Sequence, residues 1–236
     1  MKIGFFGDSF CSANHVNTSH GYHTYIHKLE QNYNAEIVNL GVGGSSIYDV
    51  ALIQLDPFIR SSNWPDVCIF VWTSNGRLFN RDDRGITSGN VMNLQDHNPV
   101  HSAAKMYYKY LYDVGYNELT YTATIQYIDT VILAKIPKST KIINLWSFGE
   151  PTNRNWDNVE FFHQDNLNYI HRFTTGMEIR PALMSVSVQG MTGTSTHNHA
   201  PNHLDGNEKN EQIYNWIKNA IDNYTPGRLI NATGKL

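Results

Sequence analysis

Val67-Cys-Ile-Phe-Val-Trp72 is an unbroken apolar run, and it leaves the chain few folds to choose from. Successive side chains of a strand point to opposite faces, so a run apolar at every position must be covered on both sides. That is the condition of an inner strand in a parallel sheet. Lys2-Ile-Gly-Phe-Phe6 reads the same way, bounded by Gly7 and a polar turn. Glu36–Leu40 and Lys141–Ser147 supply two more strands, with Asp66–Trp72 the clearest. Helical stretches separate them. His20 to Asn32 places Tyr22, Ile26 and Leu29 on one face, with Tyr25 beside it. Ile47–Leu55 is a helix, followed by Pro57 and a loop through Pro65. Further helices are expected over Ser102–Val114 and over Asn117–Ala134, the latter with Asn117 as its N-cap. A last helix opens at His203-Leu-Asp205, with Asp205 and Glu208 at capping-box spacing and Ile213, Trp216, Ile217, Ala220 and Ile221 as its apolar face. The segment Arg180–Val188 suits either a fifth strand or a short helix. Strands alternating with helices predict a three-layer α/β/α sandwich around a mostly parallel sheet.

A chain of 236 residues with no internal repeat, low-complexity segment or evident linker reads as one domain, 1–236. The polar stretch from Arg77 to about residue 100 lacks steady periodicity, as an insertion or lid does, and the tail from about 226 is polar and expected to fray. A formal charge of −3 gives no electrostatic reason to expect nucleic acid or an anionic membrane as partner. No signal peptide or transmembrane segment is evident, so a cytoplasmic protein is expected, or a component of a phage particle. The two cysteines, Cys11 and Cys68, do not make a disulfide framework and are expected as free thiols.

Four loops stand at strand ends or before the last helix. They hold Ser9 in Gly7-Asp-Ser9, the glycines of Gly41-Val-Gly-Gly44, Asn75 in Thr73-Ser-Asn75, and His203. Ester hydrolysis needs a nucleophile, a base for its proton, and donors aimed where the oxyanion forms. Serine supplies the first and histidine the second. Backbone N–H groups near glycine, and a side-chain amide, supply the third.

In this order the four blocks resemble the SGNH (GDSL-like) hydrolase superfamily, from the first strand to the last helix. The resemblance implies that Ser9 is the nucleophile and His203 the base. It implies an oxyanion hole made by Ser9 N–H, Gly44 N–H and the Asn75 amide, and no metal or cofactor. The family's Gly-x-Asn-Asp stands here as Thr73-Ser-Asn-Gly76, and its Asp-x-x-His as Ala200-Pro-Asn-His203. The carboxylate that orients the imidazole is therefore unassigned, which leaves a Ser–His dyad with a neutral acceptor on the ring.

The same residues allow other readings. Gly41-Val-Gly-Gly44 imitates a dinucleotide loop, but its sixth position is Ser46 and the nearby acid, Asp56, follows a helix. His197, His199 and His203 could hold zinc, although no helical His-Glu-x-x-His accompanies them. Arg77 could meet an anionic group of a substrate, or pair with Asp82 or Asp83, and Trp156 in a polar loop could stack on a sugar. The expectation is a serine hydrolase of a carboxylic ester, with an O-acetyl group on a carbohydrate as substrate. The alternative is a degraded SGNH domain that binds a glycan or serves a structural part.

Overall fold

A computed structural model describes residues 1–13, 24–73, 76–81, 85–93, 98–132, 135–137, 139–146, 167–169 and 207–224. Five parallel strands form one sheet: β1 (Lys2–Gly7), β2 (Glu36–Asn39), β3 (Val67–Trp72), β4 (Lys141–Trp146) and β5 (Leu167–Tyr169). Their order is β2-β1-β3-β4-β5. The helices are α1 (Thr24–Tyr33), α2 (Ile47–Asp49), α3 (Asp56–Ser61), α4 (Ser88–Asn93), α5 (Pro99–Tyr110), α6 (Val114–Tyr127) and α7 (Asn207–Asp222). The α/β class and parallel sheet expected from the sequence are present.

β3 shows why its sequence is apolar throughout. Val67, Ile69 and Val71 join Ile3, Phe5, Ile143 and Leu145 in a cluster closed by residues of α1 and α7. Cys68, Phe70 and Trp72 face the other way, onto Phe6, Ile142 and residues of α2 and α6. Phe6, Phe70 and Trp72 stack in series, with ring centroids 5.2 and 5.0 Å apart. Each such pair adds about 0.5–1.5 kcal/mol beyond its buried area. Trp72 Nε1 donates to Asn144 Oδ1 at 2.9 Å, which satisfies the indole across the β3–β4 ladder.

Several boundaries differ from the sequence reading. Pro57 lies in the first turn of α3, where its missing N–H costs nothing, and α3 ends on Ser62 at φ 54°. The stretch after α2, Val50–Gln54, is a π turn. α5 starts at Pro99 because Asn98 Oδ1 accepts from Val100 N at 2.8 Å. α6 starts at Val114 because Asp113 Oδ1 accepts from Tyr116 N at 2.7 Å, so Asn117 is inside the helix and is not its cap. Tyr25 faces the core and is fully buried. The region from Arg77 to residue 100 holds α4, and a small cluster of Ile86, Val91 and Ala104 packs there with Leu78, Val100 and Tyr108. The fifth strand is Leu167–Tyr169, whereas Arg180–Val188 lies outside the described residues. On α7, Ile213, Ile217, Ala220 and Ile221 are buried and Trp216 packs against the same cluster; Asp205 is outside the described residues. Cys11 and Cys68 are free and buried. Among the described residues no helix is long and apolar enough to cross a membrane.

Candidate active site

With this strand order the chain leaves β1 toward β2 on one side and returns to β3 on the other. Loops from the carboxyl ends of β1 and β3 therefore diverge, and the crevice between them is where open α/β sheets place ligands. Gly7-Asp8-Ser9 occupies that edge.

Ser9 opens a one-turn 3-10 helix, Ser9–Cys11, and is 8% exposed. Asp8 holds the turn: its Oδ1 accepts from Phe10 N at 3.1 Å and its carbonyl from Cys11 N at 3.1 Å. The buried Gln54 side chain clamps the residue before it. Gln54 Oε1 accepts from Gly7 N at 2.8 Å, and Nε2 donates to Gly7 O at 2.8 Å and to Ser45 Oγ at 3.0 Å. A Cβ on Gly7 would lie 2.4 Å from the Val71 carbonyl, so β1 and β3 can approach here only at glycine.

The second glycine loop is bonded directly to this turn. Gly41 N donates to Cys11 O and Val42 N to Gly7 O, both at 3.0 Å. A Cβ on Gly41 would meet Cys11 Sγ at 2.4 Å and the Asp8 carbonyl at 2.9 Å. Gly44 has φ 79°, the left-handed region that favours glycine. Ser46 then caps α2 in a capping box with Asp49, which fixes where the loop ends.

Arg77 joins this assembly from the strand-three side. Its Nη1 donates to Ser45 O at 2.8 Å and lies 3.6 Å from Asp8 Oδ2, and both side chains are buried. Asn75 is outside the described residues, but the positions flanking its loop are anchored. Tyr121 of α6 donates its hydroxyl to Thr73 O, and Tyr108 of α5 donates to Gly76 O at 2.7 Å. Burial, then the Asp8 charge, pushes the Tyr121 phenol up, so it stays a donor. Burial, then Asp8, likewise raises the Cys11 thiol, which keeps it protonated and unsuited to nucleophilic attack.

His203, Ala200, Trp156, His197 and His199 lie outside the described residues, as do Asp82 and Asp83. The helix that follows His203 is nonetheless tied to Ser9's turn. Tyr25 N donates to Asn210 Oδ1 of α7 at 3.1 Å, and Tyr25 Oη donates to Phe10 O at 2.7 Å. The structure thus brings together the Ser9 turn, the Gly44 loop and Arg77. Sequence reasoning missed Gln54, Tyr25, Tyr108 and Tyr121. Gln54 had a readable signal, since it falls on the helical face of Ile47, Val50 and Ala51 and so must be buried.

No protein-family model and no curated protein matches the chain. Among solved structures it is similar to Axe2, an acetylxylan esterase from Geobacillus stearothermophilus, at 18% identity and TM-score 0.35 over 67% of this chain. The alignment spans 64% of that esterase's length. It is also similar to a protein described as a GDSL-like lipase from Parabacteroides merdae ATCC 43184, at 15% identity and TM-score 0.41, over 89% of this chain and 90% of that one. These likenesses are distant. The strand order β2-β1-β3-β4-β5 is by itself that of an open, parallel α/β sheet.

Proposed function

We propose that this chain is a serine esterase of the SGNH (GDSL-like) type that removes a small acyl group, acetyl on a carbohydrate, through an acyl-Ser9 intermediate. The observation that carries the reading is the Tyr25 link between α7 and the Ser9 turn. Four residues of chain take His203 to Asn207, a reach of at most about 14 Å, and α7 begins at Asn207. A base on that segment is therefore within about 14 Å of the start of α7, the helix that Tyr25 ties to the Ser9 turn.

In this mechanism His203 accepts the Ser9 hydroxyl proton as Oγ attacks the ester carbonyl carbon. The oxyanion of the tetrahedral intermediate takes hydrogen bonds from Ser9 N–H, Gly44 N–H and the Asn75 amide. Collapse expels the alcohol, which carries away the proton returned by His203. Water, deprotonated by the same imidazole, then releases the acid and restores Ser9. Arg77 neutralises Asp8 beneath the turn, which keeps a buried carboxylate from repelling the nascent oxyanion.

The test is stoichiometric labelling by an organophosphonate followed by peptide mapping. One phosphonyl group on Ser9, absent in Ser9→Ala and strongly slowed in His203→Ala, is expected. Folded protein that resists labelling while binding a glycan would replace this reading with that of a binding module.

A further inference from the structure

A groove of about 470 Å³ is walled by Tyr48, Phe79, Tyr107 and Tyr116, and Arg77 lines it too. That volume falls within the ~300–1,000 Å³ typical of small-molecule sites. Arg77 links the groove to the Ser9 turn, since it also faces Asp8. Tyr48 lies just past the Gly44 loop, on α2.

α6 has two working faces. Tyr121, Ile125 and Ile128 are buried in the sheet cluster. The groove is floored by the other face, Asn117, Thr120, Ala123 and Thr124, at helical spacing below Tyr116. Those small side chains keep the space between the aromatic walls empty.

The hydrogen-bonding character of that floor selects the ligand. Thr120 Oγ1 donates to Asn117 O at 3.0 Å, and Thr124 Oγ1 donates to Thr120 O at 2.8 Å. Each hydroxyl proton is spent on the helix, which leaves oxygen lone pairs as acceptors. A fitting ligand must bring its own O–H donors. The walls ask for flat apolar faces between those donors, since exposed tyrosine offers a ring with a polar tip. Among the described residues the lining holds no carboxylate, and its cation there, Arg77, faces Asp8. Burial and the neighbouring Tyr112, Tyr116 and Tyr48 hold the Tyr107 phenol above its ordinary value, so that wall is uncharged as well. A neutral ring bearing several hydroxyls on one edge and C–H groups on its faces meets these demands. An alkyl chain would leave the threonine acceptors dry, and among the described lining residues an anion would meet only an arginine that already faces Asp8.

We infer that the groove between α2, the Arg77–Phe79 segment and the α5–α6 pair is a binding site for a neutral oligosaccharide. Its service as the alcohol side of an ester substrate rests on the proposed esterase activity; the binding itself does not. Ser9→Ala protein, which prevents turnover of any ester, is titrated calorimetrically with xylohexaose, cellohexaose, mannohexaose and chitohexaose, and with decanoate as the alkyl probe. At least one oligosaccharide should bind. Adding Tyr116→Ala should weaken it about threefold to tenfold, the worth of one aromatic contact, while Tyr116→Phe retains most of the affinity. Tyr116 is 62% exposed, so its truncation leaves the fold intact. Failure of all four sugars, unchanged affinity in Tyr116→Ala, or displacement of the sugar by decanoate would overturn the inference. Phosphonate labelling of Ser9 reads the esterase proposal separately.

Discussion

Arg77 Nη1 stands 3.6 Å from Asp8 Oδ2, and the same nitrogen donates to the Ser45 carbonyl at 2.8 Å. One guanidinium thereby connects the turn after β1, the glycine loop after β2 and the segment after β3. Asp8 is fully buried and Arg77 is 8% exposed, so neither charge is screened by water. A buried pair adds little over a well-packed apolar replacement, but removing one member strands the other.

Arg77→Met and Asp8→Asn should therefore each destabilise the protein by about 3–5 kcal/mol, read from urea unfolding. The double variant should lose clearly less than the sum, because the second change no longer strands a charge. Strict additivity would show that the two groups do not interact.

The glycines divide into those that the packing requires and those it does not. Gly41→Ala would push a methyl to 2.4 Å from Cys11 Sγ and 2.9 Å from backbone of the Ser9 turn. Gly76→Ala meets nothing within 4 Å. The first should unfold at markedly lower denaturant and lose the proposed esterase activity. The second should remain within about 0.5 kcal/mol of the parent. Gly44→Ala, at φ 79°, should cost about 1–2 kcal/mol and move the N–H proposed for the oxyanion hole, so its kcat should fall more than its stability accounts for.

Gln54→Leu should be more damaging than its conservative volume suggests. It leaves the Gly7 N–H without the acceptor at 2.8 Å that Gln54 gives it, while Gly7 O loses one of two donors and keeps Val42 N. A buried N–H left without an acceptor costs about 1–3 kcal/mol. Gln54→Glu keeps the acceptor for Gly7 N, but only its protonated form has an O–H to donate to Gly7 O, so its loss in thermal unfolding should be small at a pH low enough to protonate it and larger once it ionises.

How much of this was legible is itself a matter of range. The inner strands could be read because burial on both faces demands an apolar side chain at every position, as in Val67–Trp72. α7 could be read because its single buried face repeats at helical spacing through Ile213, Ile217 and Ala220. β5 could not, since three residues, Leu167–Tyr169, are too short to set a period. α4 has six residues and no clear stripe. The start of α6 was misplaced because Asp113 and Asn117 are both competent caps, and only the backbone donors they meet decide between them. For the site, Ser9 and Gly44 announce themselves through local chemistry. Arg77 finding Asp8, or Tyr25 finding both Phe10 and Asn210, joins residues far apart in the chain, and no spacing rule reports such a pair.

The last prediction turns on Tyr121. Its hydroxyl donates to the Thr73 carbonyl, and Tyr108 secures Gly76 on the far side, so the backbone holding Asn75 is pinned at both flanks. Asn75→Ala should lower kcat by about 10²–10³ if the amide meets the oxyanion, with KM changed much less. Tyr121→Phe keeps the ring in its buried place and removes only the pin. It should lower kcat by a smaller factor, leave KM near the parent value, and cost about 1 kcal/mol of stability. Combined with Asn75→Ala it should add almost nothing to the loss in kcat, because a positioning residue has no effect once the group it positions is gone. If Tyr121→Phe lowers kcat equally in both backgrounds, the hydroxyl acts on some other part of the site.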